Sequence, residues 1–338
     1  KAYLVTYELT ADMFDLYDIK VDDVVPIRSV YMLYTDKGVK ILKKINYGID
    51  ELQFINSVME HITDNGYKYV VPFMKTVEGS YYMEREDGIY VLLDLVEGRE
   101  ADFKNPIDLA MVSKALCKLH NSTRGLEKII DKRNNLFTWI PDFKNRALDL
   151  LKFKEIAELH HIKSDFDNLF LKWVDIYHEQ ALKSIEILEN SSYEELCRRV
   201  EEQKNICHHD LAYHNIIIDS ESNVYFVDFD YCILDLRVHD LANLITKAIK
   251  GFNWDIEKAE DIIENYCSID KISDEEFYVL YGLLSFPQDF YEVSRQYYMK
   301  TKNWDEEDFL SRLERKCSYY EDRKNFLEAL KRGDAGKQ

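Results

Sequence analysis

Alternating apolar and polar positions in the first hundred residues predict an antiparallel sheet. Short runs of β-branched and aromatic residues, separated by polar or glycine-containing turns, occupy residues 23–27, 30–34, 39–43, 70–73, 80–84 and 89–93. Residues 50–62 instead show helical spacing between two of these runs, and residues 2–17 resemble a short helix ahead of them. From these six runs we predict a five-stranded sheet accompanied by helices.

Beyond residue 96 the spacing of apolar residues becomes mostly helical. The pattern predicts one helix from Asn105 to about Gly125, and others over residues 140–160, 166–188 and 255–330. The change follows the connector Asp94–Arg99, which contains Gly98. We therefore predict a two-lobed α+β fold, with residues 1–95 as a sheet-containing small lobe and residues 96–338 as a large, mostly helical lobe.

One hairpin interrupts the helical region. Two apolar runs, Ile216–Ile218 and Val224–Val227, flank the turn-forming residues 219–223. The run His208–Asn215, of the form H-x-D-x-x-x-x-N, enters this hairpin, and Asp228-Phe229-Asp230 leaves it. Because a hairpin brings its two ends together, oxygen atoms from Asp210, Asn215 and Asp228 are expected to converge.

This convergence predicts phosphoryl-transfer chemistry. One carboxylate can orient an attacking hydroxyl, while an amide oxygen and a second carboxylate hold Mg²⁺ beside ATP phosphates. Two alternatives stay open: the same residues can serve as turn caps, or His208, His209, Asp210 and His214 can form a zinc-type site.

Two small-lobe residues fit a nucleotide site. Val39, Ile41 and Lys43 share one strand face, so Lys43 can reach α- and β-phosphates, whereas Lys40 and Lys44 lie on the other face. Glu51 lies on the inward stripe of the helix over residues 50–62 and is expected to pair with Lys43. Alternatively, Glu51 occupies this position only because the helix dipole favours a negative charge in the first turn.

Composition limits the partners and the compartment. A net charge of −19 excludes nucleic acid and anionic membranes as favoured partners; it would attract a cationic substrate, although solubility alone also accounts for it. No apolar run approaches the ~18 residues of a membrane span. Six cysteines without a C-x-x-C pair are typical of reduced thiols, so a cytoplasmic location is expected.

These motifs resemble a known family. His208–Asn215, Asp228–Asp230 and Asp240-Leu241-Ala242 resemble the aminoglycoside-phosphotransferase and choline-kinase group of the protein-kinase-like fold. The chain is still more similar to the bacterial spore-coat kinase-like proteins of CotS type. That likeness covers nearly the whole chain and rests on four further segments: Leu93–Glu100, Phe286–Phe290, Tyr297-Tyr298 and Tyr319–Lys324.

The resemblance implies a role for each site residue, with ATP and Mg²⁺ as cofactors. Asp210 would be the catalytic base, and Asn215, Asp228 and Asp230 would hold Mg²⁺. The nucleotide would be bound by Lys43, which Glu51 holds in place, by the Asp94 carbonyl and by the Val96 amide; Asp240 and His208 would brace the catalytic loop. The implied partners are a small-molecule hydroxyl acceptor and spore-coat proteins.

Departures from kinase patterns refine the functional hypothesis. Pro26–Val30 stands where protein kinases have a glycine-rich loop, and no A-P-E follows between Asp228 and Asp240, so a small-molecule kinase is favoured over a protein kinase. We therefore expect an ATP- and Mg-dependent phosphotransferase linked to sporulation. The alternative is a structural spore-coat protein with a kinase-like fold and little or no turnover.

Overall fold

The structure is a computed structural model that describes residues 9–250 and 254–335. Its first lobe is built on a five-stranded antiparallel sheet. The strands follow the order β1-β2-β3-β5-β4. Of the helix predicted over residues 2–17, residues 2–8 lie outside the described residues, and the described part is helical at Ala11–Asp15. The elements of this lobe are α1 (Ala11–Asp15), β1 (Val21–Ile27), β2 (Val30–Thr35), β3 (Gly38–Ile45), α2 (Ile49–Asp64), β4 (Met83–Arg85) and β5 (Gly88–Asp94).

The two faces of the sheet pack against different partners. Leu42, Leu33 and Leu92 form a small core with Met13 of α1. Ile45 and Val91, whose side chains point to the other face of the sheet, belong to the main core, which includes the buried side of α2. Because strand side chains alternate, this arrangement directs Val39, Ile41 and Lys43 toward the second lobe.

The predicted strand over residues 70–73 is wrong. Phe73 makes an isolated bridge to Leu93, and the chain before it crosses to the second lobe. There the carbonyl of Tyr69 accepts a hydrogen bond of 3.1 Å from the Phe226 amide. Pro72 lacks an amide hydrogen, which weakens any strand at this position. The segment therefore links the small lobe to the hairpin that carries the site motifs.

The second lobe is mostly helical and matches the predicted helices over residues 140–160 and 166–188 closely. Capping boxes at Ser164 and Ser273 begin two of its helices. Its elements are β6 (Arg99–Glu100), α3 (Pro106–Thr123), a 3₁₀ turn (Asp131–Arg133), α4 (Trp139–Leu159), α5 (Asp165–Glu189), α6 (Tyr193–Gln203), β7 (Ile206–Cys207), a second 3₁₀ turn (Tyr213–Asn215), β8 (Ile216–Ile218), β9 (Val224–Phe226), β10 (Ile233–Leu234), α7 (Arg237–Ile249), α8 (Ile256–Cys267), α9 (Asp274–Ser285), α10 (Gln288–Tyr298), α11 (Glu306–Ser318) and α12 (Tyr320–Ala335).

The helices of this lobe pack around aromatic side chains. Tyr266, Phe290, Phe309 and Phe326 are buried, as expected for the aromatic residues of the C-terminal region. None of the helices in the described ranges combines the length and apolar character that a bilayer crossing requires.

The connector between the lobes packs tightly against the hairpin. β6 pairs with β8, and β8 pairs with β9, in a three-stranded sheet. Arg99 forms two hydrogen bonds, of 2.6 and 2.8 Å, with the buried carboxylate of Asp108 in α3. A Cβ added at Gly98 would lie 2.6 Å from the carbonyl oxygen of Ile218. The connector therefore has a fixed position relative to the site.

Replacement of Gly98 by Ala is expected to destabilise the fold. The new methyl group meets backbone atoms that cannot rotate away, and overpacking of this kind costs about 1–3 kcal/mol. Urea unfolding of the variant measures the loss, with the exposed neighbour substitution Glu97→Ala as control. Equal unfolding midpoints for the two variants would show that the connector can shift without penalty.

Candidate active site

The hairpin β8–β9 brings the two motifs together. The amide of Val227 donates to the carbonyl of Asn215 over 2.9 Å, and Nε2 of His208 donates to the carbonyl of Val227 over 2.9 Å. Nδ1 of His208 accepts from the Asp210 amide at 3.3 Å, so both ring nitrogens are used within the loop. Asp228 follows directly, and it therefore lies beside the loop that carries Asp210 and Asn215.

Asp240, in the first turn of α7, supports the backbone of the loop that carries Asp210 and Asn215. Its two carboxylate oxygens accept hydrogen bonds from the amides of His208 and His209 at 2.7 and 2.9 Å. Nε2 of His120 lies 2.9 Å from the same carboxylate. Burial opposes ionisation of Asp240, but the hydrogen bond and charge of His120 outweigh it and lower the pKa of the carboxyl well below 3.8.

Asp210 is the half-buried carboxylate at the centre of the loop. The Asn215 amide nitrogen donates to its Oδ2 at 3.0 Å, and Nζ of Lys247 in α7 lies 2.8 Å from its Oδ1. Burial raises the pKa of Asp210, but the contact with Lys247 outweighs burial and lowers the pKa below 3.8. Asp210 is therefore ionised at neutral pH, as a proton acceptor must be.

Oxygen donors suited to a hard cation lie beside Asp210. Asn215 directs its amide nitrogen toward Asp210, which leaves its carbonyl oxygen for a metal ion. Asp228 adopts the left-handed backbone region, with φ of 62°, a strained conformation that fixes the direction of its carboxylate. The carboxylates of Asp228 and Asp230 already hold a cationic group, the ammonium of Lys43. Carboxylate and amide oxygens are the ligands that Mg²⁺ prefers, so this donor set fits that ion.

Lys43 reaches this cluster from β3. Its Nζ lies 2.9 Å from Asp228 Oδ1 and 2.5 Å from Asp230 Oδ2. Burial alone would lower the pKa of Lys43, but the two carboxylates outweigh burial and raise it, so the lysine is charged. Lys40 and Lys44 pair with Asp94 and Asp87 on the opposite side of the strand.

The prediction that Lys43 and Glu51 form an ion pair is wrong, because each has another partner. Glu51 lies on the buried side of α2, as predicted, but its carboxylate accepts a hydrogen bond of 3.0 Å from Nε of Arg133. Arg133 also donates to the carbonyls of Asp230 and Cys232, at 2.5 and 3.2 Å. The planar guanidinium of Arg133 has several donors and can bind three acceptors at once. Lys43 already pairs with two other carboxylates, so its ammonium does not take the place of Arg133 at Glu51.

Tyr47 adds a contact at the same place. Its hydroxyl donates to Oδ1 of Asp230 over 2.9 Å, and its ring lies 5.6 Å from the guanidinium of Arg133. Arg133 and Tyr47 together fix the Asp228–Asp230 segment against α2. Sequence reasoning missed both residues, because neither belongs to a motif that marks it.

The predicted adenine contacts lie on the backbone of Asp94 and Val96. The Leu95 amide donates to the Val39 carbonyl at 3.2 Å, so residue 95 faces β3. The Asp94 carbonyl belongs to the same trans peptide group as the Leu95 amide, so it points to the opposite side, away from β3. Their predicted contact with adenine stays a prediction.

The turn between β1 and β2 replaces the missing glycine-rich loop. Ile27 pairs with Val30, which leaves Arg28 and Ser29 as a two-residue turn, and Arg28 has a φ of 53°. The Arg28 guanidinium lies 3.5 Å from the Glu100 carboxylate of the connector, and both side chains are exposed. A cation therefore stands at the tip of the turn, on the edge of the cleft between the lobes.

The zinc-type alternative is not supported. His208 uses both ring nitrogens in the loop, so it cannot bind a metal without breaking those bonds. Among the described residues, the His, Cys and carboxylate groups close enough to share an ion form two other sets: His120 with Cys207 and Asp240, and His209 with Asp235 and His239.

Asp235, two residues before α7, makes stability depend on pH. Burial raises the pKa of Asp235 to about 7, although hydrogen bonds from Asn135 and Trp139 oppose the change. The native state therefore holds this proton more tightly than the unfolded chain. The resulting stabilisation is complete below pH 3.8 and is lost as the pH rises to about 7.

Replacement of Asp235 by Asn is expected to flatten this pH dependence. The wild type should lose up to about 1.4 kcal/mol per pH unit from this group as the pH rises between 4 and 7. Urea unfolding at pH 5 and pH 7 measures the difference, and the exposed substitution Asp261→Asn on α8 is the control. The same slope in the wild type and the Asp235 variant would contradict this assignment.

Fold and site together define a two-lobed kinase-like protein with the architecture of small-molecule phosphotransferases. The aminoglycoside phosphotransferase from Alicyclobacillus acidocaldarius superposes with a TM-score of 0.85 at 20% identity, over 98% of each chain. AMP-bound spectinomycin phosphotransferase superposes with a TM-score of 0.63 at 16% identity, over 90% of this chain and 92% of that chain. These identities show the common fold alone, and they confirm the predicted fold class.

The sequence comparisons identify the family. The profile of the family described as "Spore coat putative kinase YutH" matches residues 10–330, so the chain belongs to that family. Spore coat protein S from Bacillus subtilis is 23% identical over 307 residues, which cover 90% of this chain and 87% of the relative. The resemblance to spore-coat kinase-like proteins is thus confirmed.

Proposed function

We propose that this protein is an ATP- and Mg²⁺-dependent kinase that phosphorylates a hydroxyl group of a small molecule. One observation carries the proposal: an ionised carboxylate, Asp210, stands beside the amide oxygen of Asn215 and the carboxylate of Asp228, at the cleft where Lys43 arrives from the other lobe. Kinase chemistry needs this combination of a proton acceptor, oxygen donors for a cation, and a phosphate-binding lysine.

In the proposed reaction the acceptor hydroxyl lies against Asp210. Its oxygen attacks the γ-phosphorus of ATP, its proton passes to Asp210, and the bond from the γ-phosphorus to the bridging oxygen breaks to release ADP. Asn215 holds the Asp210 side chain by a hydrogen bond of 3.0 Å. Asp240 fixes the loop backbone through two amides, so that Asp210 keeps its position during the transfer.

Asn215, Asp228 and Asp230 would hold Mg²⁺, which supplies charge neutralisation for the β- and γ-phosphates. Lys43 would then bind phosphate oxygens in place of the carboxylates it now contacts. Its raised pKa keeps the ammonium charged for that role.

The remaining nucleotide contacts come from the small lobe and the connector. We assign residues 1–95 to the nucleotide-binding lobe and residues 96–338 to the lobe with the catalytic loop and acceptor site. The carbonyl of Asp94 and the amide of Val96 would bind the adenine edge, and Arg28 at the β1–β2 turn would reach the phosphates. Spectinomycin phosphotransferase, a protein of the same fold, binds AMP, which supports nucleotide binding by this fold.

The family and its relative support a role at the spore coat. Coat association is part of the family's description and of the name of Spore coat protein S. We propose that the protein acts during coat formation, with coat proteins as partners. A coat component with little or no turnover is the competing function, and the absence of both an Mg·ATP thermal shift and ATP hydrolysis would favour it.

Binding of Mg·ATP is the first test of the proposed function. ATP with Mg²⁺ at about 100 times its Kd should stabilise the wild type by about 2.7 kcal/mol, and thermal unfolding should move upward by several degrees. Lys43→Met should abolish most of this shift, because the phosphates lose their lysine partner. Lys75→Met, at an exposed position away from the cleft, should retain it.

Two results would contradict the proposal. One is a wild-type protein that shows no thermal shift with Mg·ATP and hydrolyses no ATP. The other is a Lys43→Met variant whose shift equals that of the Lys75→Met control.

A further inference from the structure

A pocket in the second lobe lies apart from the nucleotide cleft. It encloses about 530 Å³ of space open to solvent and lies between α5, α7, the turn before α10, and α11–α12. Tyr177, Phe286 and Phe290 supply aromatic walls, and Lys316 and Arg323 supply positive charge. None of these residues has a part in the chemistry assigned above.

Arg323 brings a buried positive charge to this pocket. Its side chain is 7% exposed and donates to three neutral oxygens, those of the Gln180 side chain and of the Leu284 and Ser285 carbonyls. No carboxylate in the described part of the chain lies within 4.0 Å of the guanidinium. Burial lowers the pKa of Arg323 to about 10, which still leaves it cationic at neutral pH. A buried charge that no carboxylate contacts directly is costly, and an anionic ligand would lower that cost.

Two lysines add to the positive charge. Lys250 and Lys316 share one carboxylate, Asp289, with distances of 2.6 and 3.5 Å. Among the described residues that line the pocket, Asp289 is the one carboxylate near these three cations, in a protein whose net charge is −19. The local charge is opposite to that of the chain as a whole, so it does not follow from composition.

Helix α7 connects this pocket to the catalytic loop. Lys247 contacts Asp210 at 2.8 Å, and Lys250 contacts Asp289 at 2.6 Å. Residues three apart lie on the same helix face, with Cβ atoms about 5–6 Å from each other. Thr246, in the same turn, lines the pocket directly. One turn of helix therefore separates the positive pocket from Asp210.

We propose that the acceptor is an acidic hydroxyl compound, whose carboxylate or phosphate group binds among Arg323, Lys316 and Lys250 while its hydroxyl extends along α7 to Asp210. This inference rests on the proposed function, which it refines by naming the substrate class. An acceptor bearing amino groups, in contrast, would be repelled by the same three cations.

The test uses four soluble polyols of similar size and different charge, titrated calorimetrically into the nucleotide-free protein at low salt. Gluconate carries a carboxylate, glucose 6-phosphate a phosphate, sorbitol no charge and glucosamine an ammonium. At least one acidic probe should bind about tenfold or more tightly than sorbitol, and glucosamine should bind most weakly. The two acidic probes distinguish a carboxylate from a phosphate as the recognised group.

Variants assign any binding to this pocket. Lys316→Gln and Lys250→Gln should each weaken binding of the acidic probe about tenfold or more, because each removes one of the three cations. Lys324→Gln, an exposed neighbour of Arg323 on α12, should bind like the wild type. Urea unfolding of each variant verifies that the fold is retained.

The inference is overturned if both acidic probes fail to bind better than sorbitol, or if the two pocket variants bind them as tightly as Lys324→Gln does. Thermal shifts with Mg·ATP on the same wild-type samples separate this outcome from failure of the proposed kinase function. Probe binding without an ATP shift would contradict the kinase function and, with it, the assignment of the bound anion as an acceptor.

Discussion

Replacing Asp210 with Asn is expected to lower the rate of phosphate transfer by about 10²–10⁴-fold while Mg·ATP binding is retained. The variant keeps the size of the side chain and removes the group that accepts the hydroxyl proton. The carboxylate of Asp210 is ionised at neutral pH beside Lys247. An Asn amide does not accept the hydroxyl proton at any pH, so a change of pH should not restore turnover. The effect should therefore fall on kcat rather than on nucleotide affinity.

Single-turnover transfer from labelled ATP, with an acceptor identified by screening, measures this loss. Thermal shift with Mg·ATP on the same variant monitors nucleotide binding. Asp261→Asn, an exposed substitution of the same kind on α8, should leave both quantities unchanged. Wild-type turnover in the Asp210 variant would remove it from the role of base.

The second large effect concerns Asp240. Replacement by Asn should destabilise the fold by about 3–5 kcal/mol, because the amides of His208 and His209 and the ring of His120 lose a buried charged partner. Asn offers one acceptor oxygen, and its amide nitrogen would face donors. The loop that holds Asp210 should loosen at the same time, so turnover should fall even where the protein remains folded.

The pH dependence of stability provides a second measurement on Asp240. Its folded-state pKa lies well below 3.8, so its contribution is complete above pH 3.8 and is lost as the pH falls below that value. Acid unfolding of the wild type should show this loss, and the Asn variant should not. A free energy of unfolding at pH 7, measured in urea, within about 0.5 kcal/mol of that of the Asp261→Asn control would contradict the bracing role.

The sequence predicted much of this molecule because its signals were local. Strand alternation placed Val39, Ile41 and Lys43 on one face, and the hairpin Ile216–Phe226 predicted which residues converge at its ends. Asp210 and Asn215 belong to one continuous loop, so their proximity follows from their spacing in the sequence. Such features depend on neighbours in sequence, which a reader of the sequence can see.

Contacts between distant segments were not predictable in this way. Glu51 was correctly placed on the buried face of α2, but its partner, Arg133, belongs to a short 3₁₀ turn in the other lobe. Lys247 reaches Asp210 from α7, and nothing in its own surroundings distinguishes it from other helical lysines. The run at 70–73 had strand composition, yet its backbone binds Phe226 rather than a strand of the sheet.

The lysine of β3 already occupies the position where a divalent ion would be held. Its ammonium touches both Asp228 and Asp230, so an arriving ion must displace it before the carboxylates become available. Free magnesium should therefore compete poorly with this internal counter-charge. When magnesium arrives already bound to a triphosphate, the phosphate oxygens provide a new partner for the displaced lysine. Metal and nucleotide should therefore bind together as one complex rather than one after the other.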